Sequence, residues 1–226
     1  YFKFPVEERN KVSDYRKRII EGLYNGMFNN RLSELAQNEN PPFIYAYSTK
    51  QQFIRTSEFY LLGAMVKENE TRRGLDVLLT EAERVKKYGF TETELEREKE
   101  SALRRMEKAY TERDKVESSR LASEYIRNYL FAEPIPGIEY EYDLYKKFIP
   151  GIKLEEVNNL AKKWVRLQSR VVTIESPEKE GVLIPDESEL QAVLAGVTNK
   201  SIEPYVDDVV SAPLIEKIPE VKPVAE

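Results

Sequence analysis

The sequence predicts an α+β domain: a small antiparallel sheet with several long helices packed on one face. Three observations carry that expectation. Short strand-like segments open the chain and recur before residue 67. From residue 69 the apolar period turns helical and stays so to residue 167. The run Arg170-Val171-Val172-Thr173-Ile174-Glu175 then reads as a strand returning to the sheet.

The opening Tyr1-Phe2-Lys3-Phe4-Pro5 alternates apolar and polar residues before a proline, as a short strand does. Ser13 and Asp14 are expected N-caps for a long amphipathic helix. Its apolar rows are Tyr15, Ile19, Leu23 and Met27, flanked by Ile20, Tyr24, Phe28, Leu32 and Leu35. So wide a stripe packs against a sheet or another helix. The helix is expected to stop at Asn38-Glu39-Asn40-Pro41-Pro42. Residues 43–48 and 58–66 are aromatic and β-favouring, and Phe53-Ile54-Arg55-Thr56 between them is expected to turn the chain into the second strand.

A helix carrying Leu75, Leu78, Leu79, Ala82 and Val85 should end at Tyr88-Gly89-Phe90. Thr91 and Glu94 form a capping box that starts the next helix, with Leu95, Ala102, Leu103, Met106 and Tyr110 as its apolar side. Another helix carries Leu121, Tyr125, Ile126, Tyr129 and Leu130 and closes at Pro134 and Pro136-Gly137. Helices over 139–148 and 154–167 follow, the second holding the single tryptophan, Trp164. After Ser176-Pro177 the apolar density falls, with a weak helix expected over 186–195 and a Pro- and Val-rich tail from Ser211 to Glu226. The expected division is an α+β domain over 1–180 and a linker or extension toward a following domain over 181–226.

The 226 residues are 41% hydrophobic and 33% charged, which suits one domain with a real core. There is no histidine and no cysteine. A Ser-His-Asp triad, a Cys-His pair, a thiolate nucleophile and an ordinary zinc site are therefore excluded. The net charge of −5 argues against a broad nucleic-acid surface. No apolar run is long enough to span a membrane, so no membrane insertion is expected. The opening lacks the basic and apolar blocks of a signal peptide, as expected of a mature protein or a piece of something longer.

Candidate sites are few. Glu94 and Glu98 lie at i, i+4 and could hold a hard cation, but the interleaved Arg97, Lys99, Arg104 and Arg105 favour a solvated helix face. Glu81 and Glu83 are read the same way. Arg31 and Glu34 fit an intrahelical i, i+3 pair. Within Glu139-Tyr140-Glu141-Tyr142-Asp143-Leu144-Tyr145, Tyr142 and Tyr145 share a face, read as docking on the domain in preference to contacting a peptide. No phosphate loop, nucleophile elbow or other catalytic signature occurs. No catalytic, cofactor-binding or metal residue is assigned.

The order of segments is distinctive. The initial strand ending in Pro5 leads to a long helix closing on Met27-Phe28-Asn29-Asn30-Arg31-Leu32-Ser33-Glu34-Leu35, then to the Pro-Pro break and a strand. Leu78-Leu79-Thr80-Glu81, Tyr88-Gly89-Phe90-Thr91-Glu92-Thr93-Glu94-Leu95, Ser118-Ser119 and Pro134-Ile135-Pro136-Gly137 follow. Gly151-Ile152-Lys153-Leu154-Glu155-Glu156-Val157 and the strand at Val171 complete the series. Together these segments, over about residues 1–176, resemble the pitrilysin/insulinase group of zinc metallopeptidases.

The resemblance implies two half-shells around an enclosed chamber, each of two repeated α+β domains. It implies zinc held in one repeat by a His-x-x-Glu-His helix and a later glutamate. Here the long helix takes that place and reads Tyr15-Arg16-Lys17-Arg18-Ile19-Ile20-Glu21, so no ligand carries over. The implied role is a non-catalytic, chamber-forming second domain of a larger peptidase, with zinc in the catalytic domain of the parent protein. The implied partners are the other domains of the same polypeptide, including the zinc-bearing one, and the parent's peptide substrates. An inactive homologue serving as a binding or assembly subunit beside an active peptidase is the alternative, and a free-standing module that binds peptides at its sheet edge is a third. Bacterial relatives of this layout are usually exported, which implies a periplasmic or envelope setting.

Overall fold

The structure is a computed structural model that describes residues 1–207 apart from residues 8 and 167; the tail beyond 207 lies outside the described residues, as does the last residue of the expected 154–167 helix, which ends at Trp164. β1 (Phe2–Pro5) is followed by α1 (Val12–Ala36) and a hairpin of β2 (Tyr45–Ile54) and β3 (Ser57–Met65). Helices α2 (Thr71–Tyr88), α3 (Glu92–Thr111), α4 (Ser118–Phe131), α5 (Ile138–Phe148), α6 (Leu154–Trp164) and α7 (Glu187–Asn199) complete the described part. The sheet is antiparallel with spatial order β1-β3-β2.

Strand alternation sorts the sheet into two faces. Phe2, Tyr60 and Lys50 lie in one cross-strand row and point toward the helices, as do Phe4 and Glu58. Lys3, Phe59 and Gln51 form the adjacent row on the opposite face, followed along the hairpin by Thr49–Leu61, Tyr47–Gly63 and Tyr45–Met65. The Arg170–Glu175 segment joins the sheet less extensively than its composition predicts. Arg170 bridges Phe2, Lys3 N–H donates to Ser169 O, and Tyr1 and Val171 exchange backbone bonds of 3.0 and 2.9 Å. Residues 172–175 continue without regular strand structure.

The core is built on α1. Ile19, Ile20, Leu23, Tyr24, Met27, Phe28 and Leu32 are buried along its apolar stripe, each contributing roughly 1.5–3 kcal/mol of burial. Tyr24 is the meeting point of four aromatic rings: Trp164 of α6 at 4.8 Å, Phe90 at 5.3 Å, Tyr60 of β3 at 5.9 Å and Phe28 at 6.1 Å. Burial pushes the Tyr24 and Tyr60 phenols above the ordinary tyrosine range, so both remain neutral. The expected caps shift slightly. Lys11 occupies the cap position, and Asp14, one turn in, accepts the Lys11 N–H at 3.0 Å.

Residues 186–207 lie against the helices. Asp186 caps α7 by accepting the Glu189 N–H at 2.8 Å, and α7 lies along α2 with Val197 buried. The following strap docks on α2 and α3: Tyr88 Oη donates to Ile202 O at 2.7 Å, Arg84 donates to Glu203 O, and Arg97 pairs with both Asp207 carboxylate oxygens at 2.9 and 3.0 Å.

Two glycines of α1 differ in their surroundings. A Cβ at Gly26 would fall 2.2 Å from the buried Glu98 carboxylate, whereas Gly22 has no neighbour within 4 Å. Gly22→Ala should stabilise the chain by about 0.5–1 kcal/mol through helix propensity. Gly26→Ala should lose about 1–2 kcal/mol net, because overpacking outweighs the same propensity gain. Urea unfolding of the two variants reads the opposite signs.

Candidate functional site

Arg31 lies near the C-terminal end of α1, 2% exposed. Its Nε and Nη2 donate to the two oxygens of Glu94 at 2.6 and 2.9 Å, and Nη1 donates to Glu81 Oε1 at 3.0 Å. Nη2 also reaches Gly89 O at 3.2 Å. Arg84 takes the second Glu81 oxygen at 2.8 Å, so two cations meet two carboxylates. The Arg31 guanidinium lies 5.0 Å from the Phe90 ring centre and 4.0 Å from that of Tyr205. One side chain thus joins α1, α2, α3 and the strap.

This corrects two sequence expectations. Glu81, Glu94 and Glu98 are buried and not on a solvated face. Arg97, Arg104 and Arg105 do point outward, but Lys99 is itself buried, and Glu94 and Glu98 share the i, i+4 row of Ala102 and lie beside Leu95, which face the core. Glu98 is met there by Arg105 at 2.7 Å and Asn30 at 3.4 Å. Glu83, by contrast, makes a local pair with Lys86 at 3.3 Å. Arg31 does not pair with Glu34; Glu34 accepts from Tyr205 Oη at 2.7 Å instead. A bidentate, desolvated partner on α3 outcompetes a partly exposed one on the same helix. The Tyr142 and Tyr145 face docks on the domain: Tyr145 meets Tyr15 edge-on at 6.3 Å and Tyr142 stacks on Tyr110 at 5.0 Å.

The Tyr15–Glu21 stretch of α1, which the sequence resemblance sets against the family's metal helix, is occupied by cations and their partners. Arg16 makes two bonds to Glu156 at 2.6 and 3.0 Å, Arg18 pairs with Glu133 at 3.2 Å, and Tyr15 Oη donates to Glu141 at 2.8 Å. Glu21 accepts from Lys50 Nζ at 2.9 Å, and Lys50 also donates to the buried Glu58 at 2.6 Å. Two arginines, and a glutamate already held by a lysine, do not suit zinc, which needs neutral imidazole, thiolate or free carboxylate donors. Among the described residues no three potential ligands converge on a metal position.

Among the described residues, two apolar surfaces stand open. α4 has no buried residue. Leu121, Tyr125 and Tyr129 form one row along it with Ile126 and Leu130 beside them, and Tyr125 and Tyr129 are 61% and 83% exposed. The sheet face away from the helices shows Tyr45, Tyr47 and Met65, with the Tyr47 ring laid across Gly63. Both signals were present in the sequence, but periodicity reports only that a face is apolar, not whether a neighbour covers it.

Arg31→Ala should destabilise the chain by roughly 3–5 kcal/mol in urea unfolding, since two carboxylates stay buried without their cation. Arg31→Lys should recover only part, because the bidentate fork is lost. A loss below about 1 kcal/mol for the alanine variant would mean an exposed pair's energetics. The strap should respond to acid. Its bond to Arg97, foremost, holds the Asp207 carboxyl below the ordinary aspartate range. That contribution is complete above the ordinary value and is lost as pH falls through the depressed one. Amide protection factors over 200–207, taken relative to intrinsic exchange at each pH, should therefore fall selectively in acid, and Asp207→Asn should remove that acid-dependent loss.

No family model matches the chain. Over 162 residues, 72% of the chain, it is 32% identical to a zinc protease PQQL-like protein of Arabidopsis thaliana, of which it spans only 14%. Among solved structures it superposes on the first half of the periplasmic protease PqqL from Escherichia coli with a TM-score of 0.72 at 16% identity, over 91% of this chain and 44% of that one. A predicted insulinase family protease from Yersinia pestis gives a TM-score of 0.70 at 13% identity, over 87% of this chain and 42% of that one. The three-stranded antiparallel sheet with helices on one face is thus the fold of these protease segments, and the chain is a pitrilysin/insulinase-like domain corresponding to part of a larger protein.

Proposed function

We propose that this domain is a non-catalytic, chamber-forming part of a larger zinc-dependent endopeptidase that degrades peptides or processes unfolded polypeptides. The observation that carries the reading is α4, a helix whose whole apolar stripe is exposed. Five large apolar side chains in water are a surface built to be covered. The occupant is another α+β domain of the same polypeptide, since the relatives are longer chains of which this domain matches a part. Zinc belongs to that other domain. In this one the corresponding helix stretch carries Arg16 and Arg18 in ion pairs. Residues 1–180 form the domain, and 181–226 begin on its surface and lead toward a following domain. A periplasmic or envelope location is part of the proposal, supported by the periplasmic protease among the similar structures.

The test uses the parent reading frame and the isolated 226-residue chain side by side. The parent should contain zinc and cleave an unstructured polypeptide such as β-casein, and a chelator should abolish cleavage; the isolated chain should do neither. The double variant Ile126→Asp/Tyr129→Asp should leave the isolated chain's stability within about 0.5 kcal/mol. In the parent it should lower cleavage on the order of 10-fold or more by misaligning the domains. A parent without zinc that copurifies with an active peptidase would favour the assembly-subunit reading. A double variant without effect in the parent would overturn the role assigned to α4.

A further inference from the structure

β2 is an edge strand whose one strand neighbour in the described sheet is β3. Such an edge offers unpaired N–H and C=O groups to any extended polypeptide. In the middle of this edge the groups are already taken. Ser48 N–H donates to Asn29 Oδ1 at 2.6 Å, and Ser48 O accepts from Asn29 Nδ2 at 3.2 Å. In an antiparallel strand the N–H and C=O of one residue point to the same side. Ser48 therefore faces outward, away from its ladder partner Leu62, into the place where a fourth strand would lie.

A strand neighbour would exchange this same pair of bonds with Ser48, and the Asn29 amide supplies both. The arrangement is braced along α1. Ser48 Oγ donates to Asn25 Oδ1 at 2.8 Å, and Asn25 Nδ2 donates to Glu21 O at 2.9 Å. Glu21 in turn holds Lys50, the next outward-facing position of β2. Glu21, Asn25 and Asn29 thus form one i, i+4 row of polar side chains running along the strand. Ser48 is 3% exposed despite its place on an edge.

We propose that Asn29 is a plug that closes the β2 edge to strand addition. An extended polypeptide beside this domain cannot become a fourth strand at Ser48, where the Asn29 amide already holds both backbone groups. The inference concerns the sheet itself and stands whether or not the peptidase reading holds.

Backbone amide exchange followed by NMR on the 226-residue chain tests it. The amides of Ala46, Ser48 and Lys50 face the same way, so in the unmodified protein Ser48 should exchange at least about tenfold more slowly than the other two. Equal rates at the three positions would overturn the proposal without any variant. In Asn29→Ala, Ser48 should lose that protection, and added β-casein should shift the amide resonances of Ala46, Ser48 and Lys50. In the unmodified chain β-casein should shift none of them. Shifts already present in the unmodified chain would contradict the plug. Shifts absent from both proteins would show that Asn29 is not what closes the edge.

Discussion

The fork of Arg31 is the interaction on which the rest of the domain depends. α1 is the spine of the core, but apolar burial alone leaves helices free to slide and rotate against it. The bidentate bond to Glu94 fixes α3, the bond to Glu81 fixes α2, and the ring of Tyr205 brings the strap over the same guanidinium. Glu94 also accepts the Thr91 N–H at 2.7 Å, so the residue that caps α3 is the one that anchors it. Such a cluster adds less to net stability than its distances suggest, because desolvating four charges is costly. Its directional bonds nevertheless favour one arrangement of helices over its neighbours.

α1 also holds its neighbours through its charges. Its N-terminal half carries ion pairs of different reach: Arg16 and Arg18 tie it to α6 and to the segment after α4, while Glu21, through Lys50 of β2, ties it to the sheet. Every strongly interacting charge along this helix points at a specific partner. These pairs tie α1 to the elements packed around it. A metal helix would instead keep neutral donors converging on an open coordination position. The polar row from Glu21 to Asn29 extends the same logic to the sheet edge, where side-chain amides replace a missing strand.

The fold was largely legible in the sequence, and the reasons are local. Apolar periodicity, the Thr91–Glu94 capping box and the Pro-Pro break are short-range signals, and each reappears in the structure within a turn of its expected place. What escaped was nonlocal. Glu94 and Glu98 read as solvated because helical charge patterning is judged against neighbours in sequence, whereas their burial is decided by α1, more than sixty residues away. Their register with Ala102 was the available signal. The final strand was overextended because β-propensity does not reveal whether a segment finds ladder partners. Asn29 gave no signal at all, since an asparagine in a helix becomes an edge plug only through the crossing of α1 and β2.

If α4 lies beneath another domain of the parent, as proposed, tyrosine footprinting reads that directly. Tyr125 and Tyr129 should be modified rapidly by hydroxyl radicals in the isolated chain, as their exposure requires. In the parent protein both should be protected several-fold, while Tyr24, buried in either setting, stays unmodified in both. Equal modification of Tyr129 in the parent and in the isolated chain would contradict the account, because the apolar stripe would then have no neighbour to cover it.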